Sequence, residues 1–172
     1  DWSLIFKNTN IKVDKADEKQ RNDLKGGFHY NVSLPMINRS EKFYGILDPK
    51  VSFRYSPNKN QNSSTEEKRL DYNSVFDLER IKTVEGGSSA TIGFDYKIID
   101  NIENNEFFKL GLSQVFRDEE NKDLPNSSSI GNKSSDIFGN ISLINKDLIE
   151  LDYVFNLSDG LASSNYESID LD

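Results

Sequence analysis

The connections between successive candidate strands of this chain alternate between long and short, and this order limits the folds that it can adopt. The long connections are 14–26, 57–87 and 118–134, the connection 158–164 is of medium length, and the short ones are 38–43, 101–105 and 145–146. An outer-membrane β-barrel has short turns on one rim and long loops on the other, because its two rims face different compartments. A soluble sandwich has no reason to sort its loops in this way. The alternation therefore favours the wall of a membrane barrel.

The candidate strands carry apolar side chains at every second position, which is the pattern of strands with two unlike faces. In the segment 46–56, one face has Leu47, Pro49, Val51, Phe53 and Tyr55, and the other has Asp48, Lys50, Ser52 and Arg54. The segments predicted as strands are 2–13, 27–36, 46–56, 89–99, 107–116, 136–144, 148–157 and 166–171. We therefore predict an all-β fold with about eight antiparallel strands.

The apolar faces have the length and the chemistry of surfaces that meet lipid. Each holds about five residues, which matches strands of about 9–11 residues tilted across a bilayer core. Their ends are often aromatic, as at Phe94 and Tyr96, which is typical of interfacial girdles. None of the well-patterned apolar faces carries a charge, although 29% of the residues are charged. A Lys or Arg there would cost about 2–4 kcal/mol at the midplane, and Gln114 is the main polar exception.

Composition excludes several other classes of protein. No run of about 18 apolar residues occurs, so the sequence predicts no membrane-spanning helix. The net charge of −8 argues against nucleic acid as a partner. The absence of cysteine excludes disulfides and thiolate metal sites from this chain. The chain begins without Met or a signal-like segment and ends within an alternating segment, so we expect residues 1–172 to be an internal part of one larger outer-membrane β-barrel domain.

Two other readings of the same pattern are open. A soluble β-sandwich binding module, such as a surface adhesin, would also alternate, with one face on a core and the other in water. Such a sheet needs a covering layer, and we find none in the sequence: only 71–78 could form a short helix, with Asp71 as its N-cap. A porin or substrate-specific channel would share every physical feature described so far.

The sequence contains no set of residues that predicts catalysis, and we assign no catalytic, cofactor-binding or metal-binding residue. The single histidine, His29, lies on a polar strand face, where we expect a solvated residue of the lumen rather than a general base. Glu150 and Asp152 project from one strand face, as glycosidase carboxylates could, but a hydrated barrel wall explains them better. Gly86 and Gly87 have no phosphate-loop context, and we expect them to supply special backbone angles.

Four cations lie on the polar faces of the predicted strands: Lys50, Arg54, Lys97 and Lys109. In a barrel they would face an aqueous interior beside acidic residues such as Asp95 and Asp152. This mixed lining suits a hydrated path for a polar, phosphorylated head group. Any water-filled lumen also needs polar walls. The lining alone therefore fits both a path for a head group and an ordinary hydrated wall.

A series of residues in the stretch 44–117 has the order and spacing of a known family. These residues are Leu47-Asp48-Pro49-Lys50, Phe53, Tyr55, Asp71, Phe76, Leu78-Glu79-Arg80-Ile81, Glu85-Gly86-Gly87, Thr91, Gly93, Tyr96, Gly111, Gln114, Phe116 and Arg117. Through them the stretch resembles the barrel domain of the LptD family of lipopolysaccharide-assembly outer-membrane proteins, also called OstA or Imp. Members of the family usually have Glu in place of Asp48 and often Asp in place of Glu79.

This resemblance implies a section of a large barrel in the outer membrane of a Gram-negative bacterium. The family places lipopolysaccharide in the outer leaflet, together with a plug lipoprotein of the LptE type and the proteins of the periplasmic Lpt bridge. It implies a translocon without bond chemistry, with long loops outside and short turns facing the periplasm. A translocon of this kind has a periplasmic β domain ahead of its barrel, which a porin lacks.

Overall fold

The chain forms one antiparallel β-sheet in a computed structural model that describes residues 1–11, 21–59, 62–82, 84–145, 149–158, 160–161 and 163–171. The sheet has nine strands: β1 (Trp2–Ile11), β2 (Arg21–Ser33), β3 (Met36–Arg39), β4 (Phe43–Ser56), β5 (Gly87–Asp100), β6 (Glu106–Arg117), β7 (Ser134–Asn145), β8 (Ile149–Leu157) and β9 (Ser164–Leu171). The predicted all-β, antiparallel fold is confirmed.

The strands follow one another across the sheet as a meander. Their order is β1-β2-β4-β5-β6-β7-β8-β9, and the short β3 pairs with β4 beyond the end of β2. Within the described residues β1 and β9 each pair on one side only, so the sheet is open. The two edge strands of such an open sheet offer unpaired backbone groups.

The largest differences from the predicted strands concern β2 and β3. The predicted strand 27–36 is divided into β2 and β3 around Pro35, which has no backbone N–H to give to a ladder. This division raises the strand count from about eight to nine. The predicted connection 14–26 is wrong in its second half, because residues 21–26 extend β2 and pair with β1. That stretch is polar without alternation, so its sequence gave no strand signal. Residues 12–20 lie outside the described part of the chain.

The loops sort onto two rims, as predicted. At one end of the sheet β4 is followed by β5, β6 by β7 and β8 by β9 after the longer connections, and we name this end the long-loop rim. At the other end, the short-turn rim, lie the connections 40–42 and 101–105, and β7 ends at Asn145 there while β8 begins at Ile149. Neighbouring short turns are linked, because the Asn101 backbone N–H donates to the Lys42 carbonyl over 3.0 Å and its side-chain amide donates to the Ser40 carbonyl over 2.7 Å.

Burial in the sheet is the reverse of that in a water-soluble protein. On β4, Val51, Phe53 and Tyr55 are 45–49% exposed, whereas Ser52 and Arg54 between them are at most 4% exposed. The same holds on β5, where Ile92 is 52% exposed and Thr91 is fully buried. Apolar side chains left outside and polar ones kept inside are what a sheet with one face against lipid requires. We name these the outer and the inner face.

The inner face is covered by the two longest loops, and the expectation that the chain has no covering layer is wrong. Residues 62–82, 84–86 and 118–133, here called the loop layer, pack on the inner side of the sheet and form a small hydrophobic core with it. The core residues from the loops are Leu70, Tyr72, Val75, Ile81, Leu124 and Ile130, and those from the strands are Val115 and Phe138. The layer covers the polar face, so the outer apolar face stays free for lipid.

The segment 71–78, the one place where the sequence allows a short helix, is a series of turns instead. The Val75 N–H donates to the Asp71 carbonyl over 3.1 Å, and the Asp71 carboxylate accepts from the Ser74 N–H over 2.9 Å. A side-chain cap therefore forms without a helix to follow it. The helical structure in the described residues is a single 3-10 turn at Asn126–Ser128. No helix there has the length and apolar character needed to cross a membrane.

Two irregularities in the pairing of β6 explain residues that the alternation left unassigned. At the register shift between Ile98 and Ile99, Phe107 is left unpaired, and its ring lies 5.1 Å from that of Phe43. At a second shift, the Gln114 side chain donates to the Ser135 carbonyl over 2.9 Å. The polar exception on the outer face thus binds a backbone oxygen where the ladder is interrupted.

Candidate functional site on the inner face

A buried carboxylate lies at the centre of the contact between the loop layer and the strands. Glu85 accepts from Arg80 through both of its oxygens, with Nη2 at 2.7 Å from Oε2, and from Arg117 Nη1 at 2.9 Å. All three side chains are at most 2% exposed. The planar guanidinium of Arg80 matches the two carboxylate oxygens, which is the strongest geometry for such a pair. Glu85 therefore joins the loop to the last residue of β6.

A third arginine, Arg54 on β4, is held by the carbonyl groups of the loop. Its guanidinium donates to the Val75 carbonyl over 3.1 Å, to the Asp77 carbonyl over 3.0 Å and to the Thr91 hydroxyl over 3.0 Å. Arg80 donates to the same hydroxyl over 3.0 Å. Buried charges require such partners, since their transfer from water is otherwise very unfavourable. The contacts bind β4 and β5 to the loop layer.

Three positive groups surround the single negative one, and this sets the protonation state of Glu85. Burial by itself would raise the pKa of Glu85, but the charge and hydrogen bonds of Arg80, followed by the charges of Arg117 and Arg54, hold that pKa below its ordinary value of 4.5. The carboxylate is therefore charged at neutral pH. We name Arg54, Arg80, Glu85 and Arg117 the arginine cluster.

Aromatic rings of the loop layer rest on glycines of the inner face. A Cβ atom at Gly111 would lie 2.4 Å from the Tyr72 ring, and one at Gly93 would lie 3.0 Å from the Phe76 ring. The Tyr72 hydroxyl donates to Asp95 Oδ1 over 2.5 Å, and Lys50 binds the other oxygen of that carboxylate. Burial, followed by the hydrogen bond to Asp95, raises the pKa of Tyr72 above its ordinary value. These contacts mark the edge of the loop layer that faces the short-turn rim.

The two loops of the layer are bound to each other and to a further strand. Ser63 donates to the Asp123 carbonyl from its backbone N–H over 2.8 Å and from its hydroxyl over 2.9 Å. The Leu70 N–H donates to the Ser128 hydroxyl over 2.8 Å, and Asn156 of β8 donates to the Leu70 carbonyl over 2.9 Å. Hydrogen bonds thus join the two loops to each other and attach them to the inner face between β4 and β8.

The residues singled out from the sequence have different surroundings. Lys50 and Arg54 lie at or under the loop layer, whereas Lys97 and Lys109 lie beyond its edge and stay partly exposed. His29 is buried, with Nε2 at 2.6 Å from the Ser52 hydroxyl, so the expectation of a solvated histidine is wrong. Gly87 has a φ of +84°, which confirms the expected special backbone angle for this glycine but not for Gly86.

The two acidic residues of β8, Glu150 and Asp152, have different surroundings. Glu150 is exposed near the short-turn rim, and Asp152 accepts from the Ser142 hydroxyl on β7. Among the described residues no group of three His, Cys, Asp or Glu is arranged to hold a metal ion.

Reasoning from the sequence missed the loop layer, although a signal for it was present. Val115 and Phe138 are apolar residues at inward positions, and the inward residues two positions away on the same strands are polar. An apolar residue on a polar face predicts a local cover, because it would otherwise meet water. The inward glycines Gly93 and Gly111 point the same way, since they leave room for the rings of Phe76 and Tyr72.

The family model described as "LptD: LPS transport system D" matches residues 7–172. A search of curated proteins gives no match. Because the family match extends over nearly the whole chain, the chain belongs to the LptD family, and the resemblance seen in 44–117 is confirmed. The family consists of outer-membrane β-barrels of Gram-negative bacteria with a role in lipopolysaccharide transport and outer-membrane assembly, and it is not a known enzyme family.

Proposed function

We propose that this member of the LptD family is one section of the wall of the translocon that inserts lipopolysaccharide into the outer leaflet, without catalysis of its own. The observation that carries the proposal is the family match over 7–172 on a sheet whose apolar face is outside. Residues 1–172 are then part of a single, larger barrel domain. The strands that pair with β1 and β9 would come from the rest of that barrel.

The two faces of the sheet have different roles in such a wall. The outer face holds the section in the membrane through side chains such as Phe53 and Ile92. The inner face has two parts: near the long-loop rim it is covered by the loop layer, and near the short-turn rim it presents uncovered polar residues such as Lys97 and Lys109. We infer that polar parts of lipopolysaccharide travel along the uncovered part, and that the loop layer closes this section toward the outside.

The partners follow from the family rather than from contacts in this chain. We propose that a plug lipoprotein of the LptE type occupies the lumen of the whole barrel, and that the periplasmic Lpt bridge proteins deliver lipopolysaccharide at the short-turn rim. The long-loop rim would then face the outside of the cell. We propose no nucleic-acid partner, because the net charge of the chain is −8.

The experiment that tests this function replaces the chromosomal copy of the full protein with a depletable one. We expect depletion to stop newly made lipopolysaccharide from reaching the cell surface, measured by pulse labelling followed by a membrane-impermeant surface reagent. Complementation with the intact full protein should restore surface labelling. A porin would instead give normal surface lipopolysaccharide and a loss of small-solute uptake, and that result would replace the translocon by the channel alternative.

A further inference from the structure

Two lysines face each other on the inner face immediately beyond the edge of the loop layer. Lys97 of β5 and Lys109 of β6 are direct partners in the register, and both side chains are partly exposed. The residues two positions nearer the long-loop rim are Asp95 and Gly111, and both are buried beneath Tyr72. The two lysines are therefore the first positively charged register pair that the loop layer leaves uncovered on its side toward the short-turn rim.

The nearest carboxylates form their direct contacts with Lys97, Lys50 and Tyr72 rather than with Lys109. Lys97 forms an ion pair with Glu106, with Nζ at 2.9 Å from Oε2. Asp95 is bound by Lys50 and by the Tyr72 hydroxyl. Within the described part of the chain, Lys109 makes no ion pair within 4.0 Å.

The register partner of Lys109 on the other neighbouring strand carries no negative charge. That neighbour in the register is Ser142 of β7, and its hydroxyl is bound to Asp152. Like charges directly opposite each other in an antiparallel pair are destabilising, and an anion placed between them would relieve the repulsion. Among the described residues, Lys109 thus has no direct anionic partner in this row.

We propose that Lys97 and Lys109 form a phosphate-binding subsite, which holds a phosphate group of lipopolysaccharide where the uncovered part of the wall meets the loop layer. This inference rests on the proposed function and adds to it a ligand group and two residues. Two ammonium groups on adjacent strands suit a phosphate monoester, which offers several oxygens and about two negative charges. The loop layer above the pair stops the phosphate from moving further along this section.

The test uses the full protein in detergent and two forms of one ligand: intact lipopolysaccharide and the same lipopolysaccharide after chemical removal of its phosphates. The wild-type protein should bind the intact form more tightly than the dephosphorylated form, and sodium pyrophosphate should compete with the intact form. In the double variant Lys97→Gln/Lys109→Gln we expect binding of intact lipopolysaccharide to weaken about tenfold, a factor that corresponds to about 1.4 kcal/mol. Its binding of the dephosphorylated form should not change.

Two further variants separate a charge effect from a structural one. Lys97→Arg/Lys109→Arg keeps both charges and should retain the preference for phosphate. Lys122→Gln removes one exposed positive charge from the loop layer and should also retain it.

Equal binding of both ligand forms by the wild-type protein would overturn the subsite and leave the translocon function standing. A preference for phosphate that persists in the glutamine variant would do the same. If the wild-type protein bound neither form, the proposed function itself would fail and the subsite with it.

Discussion

Glu85 and Arg117 are 32 positions apart, and the 2.9 Å contact between Oε2 and Nη1 joins the residue that precedes Gly86 and β5 to the last residue of β6. This contact and the fork between Glu85 and Arg80 attach a long loop to the inside of the sheet. The attachment uses charges that are fully removed from water. Removing one of these charged groups should therefore lower the free energy of unfolding more than removing a group from a surface ion pair does.

We expect Glu85→Gln to lower the free energy of unfolding of the full protein by about 3–5 kcal/mol, because removal of one member of a buried ion pair leaves the other charges uncompensated. The measurement is urea unfolding in lipid vesicles. Glu66→Gln is the matched control, since Glu66 pairs with Lys68 at the surface and such pairs contribute about 0–1 kcal/mol. Equal effects of the two substitutions would show that the arginine cluster does not hold the loop layer.

The same carboxylate predicts a dependence of stability on pH. The folded state holds the pKa of Glu85 below 4.5, so its contribution to stability is complete above that pH and is lost as the pH falls from 4.5 through the folded-state pKa. We expect the urea midpoint of the wild-type protein to fall in this acidic window. The Glu85→Gln variant should show a smaller fall in the same window, and parallel curves for the two proteins would exclude Glu85 as the source.

We expect Gly111→Ala to destabilise the protein by about 1–3 kcal/mol, because the added Cβ would lie 2.4 Å from the Tyr72 ring and force it off the inner face. Gly160→Ala is the control, since nothing lies within 4 Å of a Cβ at that position. The double variant Tyr72→Ala/Gly111→Ala tests the coupling: the alanine at position 111 should cost less when the ring is absent. Additive effects would mean that the ring and the glycine are not in contact.

A charge on the outer face should be poorly tolerated near the middle of the strands. We expect Ile92→Lys to destabilise the protein in a bilayer by about 2–4 kcal/mol, as for Lys at the midplane of an outer-membrane barrel. Ile102→Lys makes the same exchange in a short turn, where the side chain is 89% exposed, and it should have an effect near zero. Tolerance of Lys at position 92 would contradict the assignment of that face to lipid.

The outer face could be predicted from the sequence because its signal is local. Val51, Phe53 and Tyr55 alternate with polar neighbours within a few positions, and period two follows directly from strand geometry. The sorting of the loops by length was equally readable. Pro35 is the exception: it divides a strand that alternation alone predicts to be continuous.

The inner face could not be predicted to the same extent, because its contacts join residues that are distant in the sequence. Arg54, Arg80 and Arg117 meet around Glu85 only after the loop folds inward, and no local pattern encodes that path. Arg80, Glu85 and Arg117 are among the residues that carry the family resemblance, but the resemblance did not predict that they are in contact. Leu70 and Val75 lie in a polar loop without regular spacing, so their burial depends on the glycines and apolar residues of the strands opposite.

The loop layer also determines the order in which this part of the protein can be assembled. Its hydrogen bonds reach Arg54 on β4 and Asn156 on β8, so the layer spans the interior of the sheet. In the larger barrel proposed above, we therefore expect the loop layer to dock before the barrel closes, because Arg80 and Glu85 would otherwise have to enter a narrow lumen without their partners.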